Sequence, residues 1–523
     1  MFPGAAPHKR NIHNTNAREE LTMLYQPKKP KRMWDCTVYY EAPAYHIFYL
    51  STGNIGHVVT EDFINYRELP DINGFGKEGC WNQIGVPLTG TLVKDGDVYK
   101  MLLGTLEPNK MKQVYGLYLS KDLVHWEEYD NNPVLVADGE IYEDEISPRD
   151  GFMHTAWRDP NVIAKEGEYY IICLCARLKN HTLDSTGAVV AKVKTKDFIN
   201  YEYCEPFSEV GTLTKYAECP DVFELEGNKY ATFLDHSWGG LRTYSSTRSD
   251  PAGTFYQIYD RASGRFVFPK DSLLIGSANN RQCAWAARTV VGKGGKRLLY
   301  YHVTADNPSF GIPKEIGVNT DKSLRLLYCS DMDKLYGRNI PLALAPIAGD
   351  GGVWKSKNGA IFGQIGIYGS AMPIAKAENF ILDCTIRISE GDKAGVACWH
   401  ADCEETGAAV VWLDFRNQRV MAEWEHYRDS EGFGDFQNDV VNGGMVRERD
   451  EKSYNLERNR PYRLKIIAKN STLDIYIDDE WVLCKRFPMC GGKQNVSLVI
   501  ERASAEFLSN ELHACKELRI INE

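Results

Sequence analysis

The chain of 523 residues has no long apolar run. Its first thirty residues, MFPGAAPHKRNIHNTNAREELTMLYQPKKP, hold no stretch that would serve as a signal peptide, and nothing downstream approaches the ~18 apolar residues of a membrane span. Basic charge is also scarce. The formal net charge is -10, and no Lys/Arg-rich run is interleaved with aromatics, which argues against a nucleic-acid partner. Cys-x-x-Cys and His-x-x-x-His pairs are absent, so the sequence offers no dedicated zinc or iron site. The 14 cysteines are scattered through expected strands, as at Cys173, Cys175, Cys384, Cys398 and Cys484, and are read as reduced thiols. Asn470-Ser471-Thr472 is read as a turn before a strand rather than a glycosylation acceptor. These absences predict a soluble, cytoplasmic protein without metal, organic cofactor, membrane or nucleic-acid partner.

What is present is aromatic residues, 11% of the chain, and 44 glycines, a composition that suits an all-β protein with many turns. The length predicts two domains. A degenerate repeat runs through the first two thirds. Its strand recurs five times, as Tyr45-His46-Ile47-Phe48-Tyr49, Val98–Leu103, Tyr169–Cys173, Lys229–Leu234 and Arg297–Tyr301. A seven-residue element recurs three times between these strands: Thr60-Glu61-Asp62-Phe63-Ile64-Asn65-Tyr66, Ser120–Trp126 and Thr195–Tyr201. Four short antiparallel strands and their loops fill each unit, and radial repetition of such sheets protects their edges. The expected architecture is therefore a five-bladed β-propeller over residues 31–340, after an N-terminal extension (1–30). A Pro/Ala/Gly-rich linker (341–358) and a β-sandwich (359–523) follow, the latter marked by the alternation in Tyr462–Ile467 and Leu473–Asp478.

Three carboxylates stand among apolar or aromatic neighbours at the starts of expected blades: Trp34-Asp35-Cys36, Arg158-Asp159-Pro160 and Glu218-Cys219-Pro220. The first strand of each blade lines the central channel, which would bring all three to one mouth. Cleavage of a glycoside with retention needs one ionised carboxylate to attack and one protonated carboxyl to donate to the leaving oxygen, roughly 5 to 5.5 Å apart. An acid beside an Arg stays ionised and can stabilise positive charge developing on the ring, a role that suits Asp159 next to Arg158. Trp34, Trp81, Asn82, Gln83, Trp157, His236, Trp238 and Trp285 are aromatic or polar residues that could line the pocket, with Trp34 and Trp81 the foremost. Cys36 and Cys219 are read as packing residues rather than nucleophiles.

At these residues the sequence resembles glycoside hydrolase family 32, the invertase, inulinase and levanase family, and more distantly family 68. The Arg-Asp-Pro and Glu-Cys-Pro motifs match Arg158-Asp159-Pro160 and Glu218-Cys219-Pro220, and Tyr45-His46-Ile47-Phe48-Tyr49 matches the strand after the nucleophile. The resemblance implies Asp35 as nucleophile, Asp159 as transition-state stabiliser and Glu218 as general acid/base. It also implies a small oligosaccharide substrate, sucrose or a short fructan, cleaved at a β-fructofuranosidic bond through a fructosyl-enzyme intermediate. The departure is at the nucleophile, where Arg32-Met33-Trp34-Asp35-Cys36-Thr37-Val38 keeps the acid but lacks the preceding Asn and following Pro-Asn-Gly. The sequence thus predicts a divergent branch with an uncommon fructoside. Its competing readings are a fructosyltransferase using the same acids, an arabinan- or xylan-debranching hydrolase, and a non-catalytic carbohydrate-binding propeller.

Overall fold

The seven-residue repeat folds into the same turn three times. Thr60 Oγ1, Ser120 Oγ and Thr195 Oγ1 accept the backbone N–H three residues on, at 2.8, 3.0 and 2.9 Å. The following Asp then accepts the next two N–H groups, as Asp62 does from Ile64 and Asn65 at 3.0 and 2.8 Å. The residue between them is forced into the left-handed region, with φ of 57° at Phe63, 65° at Leu123 and 67° at Phe198. Burial of these three side chains and the surrounding hydrogen bonds offset that strain.

The computed structural model describes residues 23–521 apart from 29, 109–111, 146–155, 181–186, 209–216, 236–251, 278–283, 304–307, 348–350, 401–407, 426–448 and 488–492. Within them the chain is all-β, apart from two 3-10 turns, in a propeller-like arrangement joined to a large sheet. The strands that begin each expected blade are Cys36–Glu41, Leu88–Asp95, Arg158–Glu166, Ala217–Leu225 and Ala284–Val291. Each pairs antiparallel with the next strand in sequence, and meander order continues outward.

Four of the five expected blades stand as separate sheets. The strands of the expected fifth, Ala284–Val291, Arg297–Val303, Lys314–Val318 and Leu324–Tyr328, instead lead a 16-stranded sheet that includes the C-terminal strands. The junction is one pair, Leu327 with Glu480. An outer strand carries unpaired backbone groups, and here a neighbouring strand takes them up. Beneath it Lys314 and Asp474, both fully buried, form an ion pair at 2.5 Å. Tyr476 and Trp481 also donate to Asp474, at 2.7 and 2.8 Å.

Two boundaries differ from expectation. Met23, Leu24 and Tyr25 of the expected N-terminal extension are buried in the propeller core, where the Tyr25 hydroxyl donates to Glu68 at 2.6 Å and its carbonyl accepts from Phe310. The expected linker is also structured: Ala343 and Ala345 donate to the Ala360–Ala377 strand, and Val353–Lys357 pairs with it throughout. Proline and glycine there disfavour helix but not edge pairing. The strands from Ala360 onward enclose a core of their own, including Ile386, Val411, Ile466 and Leu498. Asn470 and Ser471 form the tight turn between Tyr462–Lys469 and Thr472–Ile477, both at positive φ. Cysteines among the described residues carry free thiols.

Candidate active site

Four of the channel-lining strands carry the same four-residue break in register: Leu88–Thr91, Arg158–Asn161, Glu218–Asp221 and Trp285–Arg288. In three of them the second residue is left-handed, with φ of 57° at Asp159, 49° at Cys219 and 51° at Ala286. A bulge of this kind re-aims side chains at a rim. It turns Arg158 and Glu218 toward each other, so that Arg158 donates from NH1 to Glu218 Oε1 at 2.5 Å.

The three acids form one cluster. The Cys219 backbone N–H donates to Asp159 Oδ2 at 2.8 Å, and the Cys219 thiol lies 3.7 Å from Asp35 Oδ2. Asp35 accepts from Thr89 Oγ1 at 2.7 Å, and its other oxygen is 3.8 Å from His302 Nδ1. Asp159 is buried at 6% exposure, whereas the side chains of Asp35 and Glu218 retain 21% and 22%. Two acids therefore face the solvent-accessible mouth, and the third lies behind them.

Burial drives the Asp159 carboxyl up to about 6, against Arg158 and Arg288, which pull it down; Asp35 and Glu218 add to the rise. Burial likewise holds the Cys219 thiol well above its usual value, with Asp35 and Asp159 adding to it. Ligand atoms of Asp35, Asp159 and Cys219 lie within 4.8 Å of one another. A thiol that keeps its proton is a poor metal ligand, and Asp35 and Asp159 already accept hydrogen bonds, so this trio does not read as a cation cage. His302 is buried and pushed below its usual range by desolvation, opposed by Asp35; neither ring nitrogen has a hydrogen-bond partner among the described residues.

Of the expected pocket residues, Trp34 is 39% exposed next to Asp35 and meets His302 edge-on at 6.0 Å between ring centres. Trp285 occupies the same place in its strand as Arg158 and Glu218 and pairs with His302. Four others face elsewhere. Trp81 donates to Glu128 at 2.5 Å, and its ring lies over Gly116 in the second sheet. Gln83 is exposed and closes a turn by accepting from Gly79. Asn82 is buried, donating to Gly74, and Trp157 is fully buried against Tyr142 and Tyr203. Cys36 is buried, its thiol donating to the Trp34 carbonyl. His236 and Trp238 lie outside the described residues.

Sequence reasoning missed Thr89, Tyr115, Arg288 and His302. Tyr115 accepts the Asp159 N–H at 2.7 Å. The one local signal was Arg288, a charge closing the otherwise apolar run Ala284-Trp285-Ala286-Ala287. A large cleft of about 1020 Å³, lined among others by Phe207, Lys229 and Tyr259, holds none of the three acids.

The model of the N-terminal domain of glycosyl hydrolases family 32 matches residues 35–303, slightly more than half of the chain. The chain belongs to glycosyl hydrolase family 32. As a family 32 glycoside hydrolase it has a curated relative in the bifunctional 6(G)-fructosyltransferase/2,1-fructan:2,1-fructan 1-fructosyltransferase of Allium cepa. The two are 30% identical over 197 residues, 35% of this chain and 29% of that protein. The family 32 chain thus spans under a third of that relative's length. Its fold is also that of fructan 1-exohydrolase IIa from Cichorium intybus (TM-score 0.67, 14% identity, covering 97% of this chain and 100% of the other). The β-fructofuranosidase of Aspergillus kawachii is similar as well (TM-score 0.68, 12% identity, covering 96% and 95%).

Proposed function

We propose that this family 32 member is a retaining β-fructofuranosidase acting on sucrose or short fructo-oligosaccharides. Asp35 attacks the anomeric carbon, Glu218 protonates the leaving oxygen and then activates water, and Asp159 stabilises the positive charge that develops on the ring. The observation that carries this reading is the cluster itself: the two partly exposed acids, Asp35 and Glu218, stand in front of a buried third that is tied to Glu218's own strand through the Cys219 N–H at 2.8 Å. Thr89 holds Asp35 as an acceptor, which leaves its other oxygen for attack. The hydrogen bond from Arg158 keeps Glu218 oriented.

We read the Ala284–Tyr328 strands as the fifth blade and the strands after Ala360 as a β-sandwich. A cytoplasmic location and small saccharides as substrates belong to the same reading, without nucleic-acid or membrane partners. Transfer to a sugar hydroxyl in place of water is the second reading, favoured by the fructosyltransferase activity named for the Allium cepa relative.

The test is fructose and glucose release from sucrose, kestose, inulin, levan and difructose anhydrides by the wild type, Asp35→Asn and Glu218→Gln. Turnover abolished in both variants supports the reading. Undiminished turnover in either variant overturns the assignment. A fructose-to-glucose ratio that falls as sucrose rises identifies transfer.

A further inference from the structure

The last residue of each register break, Thr91, Asn161, Asp221 and Arg288, occupies the same place in four strands. These residues form a second ring in the channel. Asn161 donates to Asp221 at 3.0 Å, the Thr91 hydroxyl lies 3.4 Å from Asn161 Oδ1, and Asp221 accepts from both the N–H and the hydroxyl of Thr289. Arg288 is the member that does not bond sideways. From the strand beginning at Ala284 it reaches across the channel, donating from NH2 to the Asp159 carbonyl at 2.5 Å and from NH1 to the Gly90 carbonyl at 2.9 Å. The same Gly90 carbonyl accepts from Thr37 at 3.0 Å, so one guanidinium ties together the strands that follow Asp35, contain Thr89 and contain Asp159. It is 1% exposed, and its Nε has no partner among the described residues.

Among the described residues Arg288 has no carboxylate at ion-pair distance, and a buried cation so placed is costly. Asp159 sits in the left-handed region, where a β-carbon is strained, and its peptide is held from both sides: the N–H by Tyr115 and the carbonyl by Arg288. We propose that Arg288 is a positioning residue for the reaction, fixing the strained Asp159 peptide from across the channel and bringing a positive charge to it.

This rests on the role proposed above for Asp159. Among the described residues, Arg158, on its own strand, also lowers that carboxylate, while Asp35 and Glu218 raise it. Tyr115, Cys175 and Cys219 are all held neutral by burial. Among the described residues Arg288 thus joins Arg158 in opposing the burial of this acid, and Arg158 is already bonded to Glu218.

The experiment compares pH profiles of kcat/KM for wild type, Arg288→Met and Arg288→Lys on the best fructoside of the panel, with melting temperatures and Asp159→Asn alongside. Arg288 pulls the Asp159 carboxyl down against its burial, so its removal in Arg288→Met is expected to move the acidic limb of the profile upward. Arg288→Lys keeps a charge but not the two-armed reach, so its limb stays near that of the wild type while kcat falls roughly tenfold with KM little changed. A merely structural arginine would lower the melting temperature and leave the limb where it was, and that result overturns the inference. If Arg288→Met does not fold, Arg288→Lys decides, and wild-type kcat in it is the overturning result. An Asp159→Asn enzyme of undiminished activity would sink the parent assignment; an inactive one with an unmoved limb in Arg288→Met sinks only this inference.

Discussion

The backbone N–H of Cys219 points at Asp159 Oδ2, 2.8 Å away, from a residue whose φ is 49°. The motif residue between Glu218 and Pro220 thus acts through its main chain, and its thiol is incidental to that bond. Cys219→Ala keeps the donor and is expected to stay within about tenfold of wild-type kcat/KM, a loss under about 1.4 kcal/mol. Steady-state kinetics check this, and a loss of a hundredfold or more would show that the sulfur itself takes part.

Tyr115 offers the complementary case. Its buried hydroxyl accepts the Asp159 N–H, and Tyr115→Phe leaves that N–H unsatisfied in the interior. The expected cost is about 1–3 kcal/mol of stability in urea unfolding, accompanied by lower kcat as Asp159 relaxes from its left-handed conformation.

Asp159 also links pH to stability. Its carboxyl is raised to about 6 from an ordinary 3.8, so it favours the folded state when protonated. That contribution is complete below about 4 and is lost as pH rises through about 6. Asp159→Asn, neutral at every pH, should therefore melt higher than wild type at pH 7.5 and no higher at pH 4, with a gain on the order of 1–3 kcal/mol at the upper pH. Equal melting temperatures at both pH values would contradict the raised carboxyl.

Trp34 and Trp81 separate binding from packing. Trp34 is exposed beside Asp35, so Trp34→Ala should raise KM several-fold, about 0.5–1.5 kcal/mol of stacking, with little change in melting temperature. Trp81 lies over Gly116 and donates to Glu128; Trp81→Ala should lower the melting temperature and leave KM unchanged. Differential scanning fluorimetry and initial rates distinguish the two, and the opposite pattern would return Trp81 to the pocket.

The buried Lys314–Asp474 pair makes a prediction about the whole chain. Lys314→Met strands a buried carboxylate and should destabilise by about 3–5 kcal/mol in denaturant titration, whereas Lys314→Met with Asp474→Leu should cost less than the single change. An additive or larger loss in the double variant would mean that the pair itself supplies the stability.

The sequence made Asp159 and Glu218 legible because each lies in a short contiguous motif whose neighbours shape its surroundings. Asp35 was legible by its position ahead of the first repeat strand. Thr89, Tyr115, Arg288 and His302 were not, since each reaches the cluster from another strand and owes its place to convergence around the channel. Trp81 shows the reverse limit: an aromatic in a glycine-rich turn declares itself, but nothing local says that its indole will turn outward to Glu128. The repeat likewise displayed five sets of strands without showing that the last would share its outer edge with Glu480. The buried start at Met23 and the Val353–Lys357 strand escaped for the same reason, as pairing partners far along the chain decide both.

The strand that completes the first sheet comes from the far end of the chain: Arg519 and Ile520 pair in parallel with Asn65 and Tyr66. During synthesis the Asn65–Ile72 edge therefore waits for more than four hundred further residues before its partner emerges from the ribosome. Until that partner is made, the strand keeps an uncovered edge, the kind of surface that can pair with another chain.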